Sequence, residues 1–87
     1  MPEVSRFYGI VIYMFAKDHA PPHCHAKYGE NFGLIDIRSG ELLEGHLPRR
    51  ALRLIQDWVE INEEALLTNW QEGQKDNPNF RKISPLP

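Results

Sequence analysis

The sequence predicts an α+β fold, an antiparallel meander of about four strands followed by two C-terminal helices packed on it. Three observations carry this. Phe7 to Phe15 is an apolar run rich in β-branched and aromatic residues, residues 23–46 alternate between turn signals, and apolar positions switch to helical spacing after Pro48. The sheet is expected over about residues 6–47, the helices over about 48–74 and an extended tail over 75–87, all within one domain spanning 1–87. A chain of 87 residues holds no apolar material for a second core.

Phe7 to Phe15 is apolar at both parities, which predicts a central strand covered on two faces. Lys17 to Pro22 then reads as a loop, since Pro21-Pro22 removes backbone donors and holds the chain in extended, non-helical geometry. From His23 to Tyr28 one parity carries His23, His25 and Lys27 and the other Cys24, Ala26 and Tyr28, so one face is polar and the other faces the core. Gly29-Glu30-Asn31 predicts a turn into a strand from Phe32 to Ile37, and Ser39-Gly40 a hairpin turn into Glu41 to His46. Pro48 suits a helix start, and Ala51, Leu52, Ile55, Trp58 and Val59 form its apolar stripe. Asn62 reads as the N-cap of a second helix, with Glu63 and Glu64 in its first turn, Leu66, Leu67 and Trp70 on its apolar stripe, and Gly73 near its end. In the tail, Phe80, Ile83 and Leu86 can dock an extended segment back onto the body.

Composition narrows the function classes. The formal charge of −2 lacks the basic excess of generic nucleic-acid binders, so any nucleic-acid contact must be local. No apolar run reaches the roughly 20 residues of a membrane helix, and Met1 to Arg6 carries no secretion signal, so a cytoplasmic protein without membrane contact is expected. Cys24, the single cysteine, excludes an internal disulfide and suits a reducing compartment, where it serves as a small apolar side chain.

Three of the four histidines, His19, His23 and His25, fall within seven positions. On a strand His23 and His25 project from one face with Cα atoms about 7 Å apart, close enough for both imidazoles to meet one ion or substrate, and His19 can fold over from the loop. The leading reading is catalysis without metal: one neutral histidine acts as base, a protonated neighbour as acid, and Lys27 on the same face stabilises developing negative charge. A metal reading makes the three histidines ligands of a divalent ion, with Asp18 and Glu30 as candidate partners by proximity in sequence only. The plainest alternative makes them hydrogen-bonded or exposed side chains beside a stiff turn.

Arg49, Arg50 and Arg53 lie early in the first predicted helix, where the helix dipole disfavours cations; they either hold phosphate or a carboxylate-rich partner, or shield apolar surface with their stems. A DNA-reading helix-turn-helix is disfavoured by Glu60, Glu63 and Glu64 at the start of the second helix. Trp58 and Trp70 belong on the core stripes, with Trp70 also placed to anchor a partner.

Pro2-Glu3-Val4-Ser5-Arg6-Phe7-Tyr8-Gly9, His19-Ala20-Pro21-Pro22-His23-Cys24-His25-Ala26, Tyr28-Gly29-Glu30, Gly45 to Leu52 and Trp70 after Leu66-Leu67 together resemble the bacterial family called domain of unknown function 4160. The resemblance covers nearly the whole chain. It departs at Cys24, where the family commonly carries an aromatic residue. The resemblance implies the toxin-like component of a type II toxin-antitoxin-type module, paired with an antitoxin-like protein of the domain of unknown function 2442 (DUF2442) kind. On this expectation the chain is an RNA-directed hydrolase, a metal-independent ribonuclease using the histidine cluster. A non-enzymatic protein-binding module and a histidine-cluster metal protein are the alternatives, and a small open sheet is compatible with a homodimer.

Overall fold

The computed structural model describes residues 2–87. Five antiparallel strands form one sheet in the order β1 (Glu3–Phe7), β2 (Ile10–Tyr13), β3 (His23–Tyr28), β4 (Asn31–Asp36) and β5 (Leu42–Gly45). Two helices follow, α1 (Arg49–Ile61) and α2 (Glu63–Gly73).

The apolar run expected to be one strand is a hairpin. Tyr8 and Gly9 both have positive φ, 48° and 79°, the backbone of a tight turn whose twist matches the strands on either side. Glycine adopts this geometry freely, and Gly9 stands where a second left-handed residue is needed. The sheet therefore gains β1, starting at Glu3, and β2 becomes its neighbour, with Phe7 opposite Ile10.

The register of β3 follows the expected parity. Ala26 pairs with Ile12, and Cys24 with Ile35, so Cys24 and Ala26 join Ile10, Ile12 and Ile35 in the core. Tyr28, at the strand end, stays half exposed instead. The helices cover this face with Ala51, Ile55, Trp58 and Val59 of α1 and Leu66 of α2, and the Trp58 ring lies 5.3 Å from that of Phe7. Burial at roughly 25 cal/mol per Å² of apolar surface makes this layer the main stabilising term.

Asn62 stands at the start of α2 as expected, but its side chain looks backward: Nδ2 donates to the Trp58 carbonyl at 2.9 Å, closing α1 rather than capping α2. Glu63 and Glu64 occupy the first turn of α2, where negative charge complements the helix dipole.

The tail docks through hydrogen bonds as well as apolar side chains. Ile83 N–H donates to the Val4 carbonyl, Trp58 Nε1–H donates to the Ser84 carbonyl, and buried Asn69 exchanges two bonds with the Arg81 backbone. Among the described residues, no helix is long and apolar enough to cross a membrane.

Deleting residues 80–87 orphans Asn69 and the Trp58 indole N–H, at about 1–3 kcal/mol for each buried polar group. The truncated chain should melt well below the full one in a thermal scan, and an unchanged midpoint would contradict the strap role. Burial pushes the Cys24 thiol up to about 12, so iodoacetamide should label it only after denaturation. Labelling of the native protein at the rate of an exposed thiol would refute this.

Candidate functional site

The site forms where the β2–β3 loop crosses the end of α2. Lys17 turns the loop with φ 58°; its N–H donates to the Gly73 carbonyl at 2.9 Å, and its Nζ donates to the Gln74 carbonyl at 2.9 Å. Gln74 Nε2 returns a bond to the Asp18 carbonyl at 3.2 Å. Gly73 also leaves room for the tail, since a Cβ there would lie 3.0 Å from the Phe80 ring. At the far end of the loop, the Pro22 carbonyl accepts from Ile37 N–H, tying it to the residues just after β4.

Held from both sides, the loop turns the Asp18 carboxylate toward β3. Its Oδ2 lies 3.0 Å from His23 Nε2 and 3.0 Å from His25 Nε2. Its Oδ1 accepts the His19 backbone N–H at 3.1 Å. The other nitrogen of His23, Nδ1, lies 2.7 Å from the Pro21 carbonyl, which can only accept, so Nδ1 carries a proton. Trp70 of α2 packs on His23 with ring centroids 5.2 Å apart, and Phe15 meets His25 edge-on at 4.6 Å. His23 is buried at 3% exposure, whereas His25 keeps 26% of its side chain exposed.

The other sequence candidates lie outside this constellation. His19 stands on the rim at 92% side-chain exposure, its Nδ1 3.6 Å from Asp18 Oδ1. Lys27 shares the strand face but sits over the Phe32 ring, Nζ 5.6 Å from its centroid. Glu30 is exposed in the turn at the opposite end of β3 from His23. Arg49, Arg50 and Arg53 are exposed on α1, which begins just after Leu47; Leu47 borders Gly33, near the start of β4, while His23 pairs with Asp36 at its end. Trp70 is the addition, and Asp18, expected only as a candidate partner in the metal reading, is the hub. Asp18 had only its closeness in sequence to recommend it, and no local pattern connects Trp70 or Gln74 to the histidines.

The family described as Domain of unknown function (DUF4160) matches residues 9–71, a span that contains Asp18, all four histidines and Trp70. The chain belongs to the DUF4160 family. No curated protein and no solved structure shows significant similarity to it. Within this DUF4160 chain the matched segment runs from the β1–β2 turn into α2, so the site loop and Trp70 lie inside it, while Gly73 and Gln74, which clamp the loop, follow just after it.

Burial opposes ionisation of Asp18, but the His25 hydrogen bond and the charge on His23 outweigh it and hold the carboxyl below the usual carboxylate range. A carboxyl depressed by folding contributes stability above its unfolded value, near pH 3.9, and loses that contribution as pH falls through the lower folded value. Wild type should therefore melt above Asp18→Asn at neutral pH with a chelator present, the gap closing below about pH 4. Equal melting points at pH 7 would contradict the ionised, hydrogen-bonded carboxylate.

Proposed function

We propose that this chain activates water for hydrolysis at Asp18, His23 and His25, and acts as the toxin-like member of a bacterial two-gene module with RNA as its substrate class. The observation that carries the hydrolytic reading is the carboxylate oxygen shared by two imidazoles at 3.0 Å, one of them reachable from solvent. Clusters of titratable side chains held this closely are enriched at functional sites. The toxin-like role, an antitoxin-like partner of the DUF2442 kind and the RNA substrate rest on the family resemblance and go together in one proposal.

The division of labour follows from burial. His25, with a quarter of its side chain open, is the group a substrate can reach; Asp18 orients it through Nε2. His23, closed in by Trp70 and bonded at both nitrogens, holds the carboxylate in place. His19 and Lys27 flank the opening as contacts for substrate rather than members of the centre.

A second reading, a protein-binding module, is favoured by β5, an edge strand, together with the exposed Phe32 and Leu43 beside it. The same edge would serve a homodimer.

Expression of wild type, Asp18→Asn and His25→Ala in a bacterial host, with growth and RNA integrity followed, separates the two. Wild type should arrest growth and degrade RNA, and both variants should relieve the arrest. Equal inhibition by all three would remove the catalytic role of the cluster, and no inhibition by any would remove the toxin-like role.

A further inference from the structure

From the geometry we infer that Asp18, His23 and His25 form a binding site for one divalent first-row transition-metal ion, of the zinc class. This deepens the hydrolytic reading by naming a cofactor for the same residues, but it rests on separate evidence.

The first argument is stereochemical. His23 donates its Nδ1–H to the Pro21 carbonyl, so in a neutral ring Nε2 carries only a lone pair, and that lone pair faces Asp18 Oδ2 at 3.0 Å. The 3.0 Å separation calls for a positive centre between the two atoms, either a second proton on His23 or a metal ion. His25 can satisfy the carboxylate with its own Nε2–H; His23 cannot. A cation bound by both imidazoles and the carboxylate resolves the arrangement, and a doubly protonated His23 is the metal-free alternative.

The second argument is spatial. Among the described residues, Asp18, His23 and His25 are the group of His, Cys, Asp and Glu side chains whose ligand atoms converge, all within 4.8 Å of one another. Ligands about 2.0–2.2 Å from a shared ion stand roughly 3.3–3.6 Å apart in tetrahedral geometry; the two carboxylate–imidazole pairs at 3.0 Å lie close to that spacing, and small side-chain shifts complete it. Two imidazoles with one carboxylate suit zinc and its first-row neighbours rather than calcium or magnesium, which prefer oxygen-only shells. Three protein ligands leave a position for water.

The third argument is the surrounding support. Metal-ligating histidines usually donate the far ring N–H to a carbonyl or carboxylate, the role Pro21 fills for His23. Asp18 is fixed through Oδ1 by the His19 N–H and through its carbonyl by Gln74, so its free orientation is already restricted. Sites built this way lose little entropy on loading.

The test is direct binding to the full chain purified without a histidine tag. Zinc chloride titrated calorimetrically into chelator-stripped protein should saturate at one ion per chain, and cobalt(II) should quench tryptophan fluorescence, because Trp70 packs 5.2 Å from His23. Asp18→Asn and His25→Ala should each weaken binding by more than the roughly tenfold to hundredfold loss typical of an outer-shell partner. His46→Ala, at an exposed position between β5 and α1, should bind like wild type. Circular dichroism confirms that each variant is folded; if His25→Ala does not fold, Asp18→Asn, which keeps an acceptor for the His19 N–H, decides alone. Zinc binding far below one per folded chain, or unchanged binding in a folded Asp18→Asn, overturns the metal site. Binding without growth arrest leaves the metal site standing and removes only the toxin-like role; absent binding together with His25-dependent RNA cleavage overturns the metal site and leaves hydrolysis standing.

Discussion

The hydrogen bond from the Lys17 amide to the Gly73 carbonyl joins two parts of the chain that have no reason to meet locally. Around it gather the Lys17 ammonium on the Gln74 carbonyl, the Gln74 amide on the Asp18 carbonyl, and Trp70 against His23. Without this clamp the β2–β3 loop would be a surface segment tethered only at its ends, and Asp18 would sample solvent. With it, an acidic side chain is held against two imidazoles, and the helix end supplies a wall to the site. Every chemical property argued for the cluster descends from this docking of α2.

The docking also explains the unequal histidines. His23 and His25 leave β3 on the same face, yet one is buried and the other open. The difference comes from what lies above them: Trp70 and the prolines over His23, and the Phe15 edge beside His25. A strand alone delivers two equivalent side chains, and the helix end makes them inequivalent. That asymmetry separates a holding residue from a reacting one.

Much of the frame was readable from residue patterns alone. The alternation through β3 put both histidines on one face and Cys24 and Ala26 in the core, because strand periodicity leaves no other assignment once one face is apolar. Helix positions followed from the stripes ending at Val59 and Trp70. The β1–β2 hairpin was hidden because Tyr8-Gly9 sits within an apolar run whose hydrophobicity gives no sign of a reversal. Asp18 as the hub was hidden for another reason: its orientation depends on Gln74, 56 residues away in sequence, and such a contact leaves no local trace. The arginines of α1, expected either to hold phosphate or a carboxylate-rich partner or to shield apolar surface, stand exposed on the helix and are not drawn into the histidine constellation.

The strap formed by the tail has a consequence for how the molecule comes into being. Residues 80–87 satisfy Asn69 and the Trp58 indole and pair with the edge strand at Val4, so the groups they complete are all synthesised before them. While the chain is still leaving the ribosome, the sheet and both helices can assemble, but two buried polar groups and one strand edge wait for residues 80–87. The site thus belongs to a body whose final stability arrives only once residues 80–87 have been made and laid back along β1.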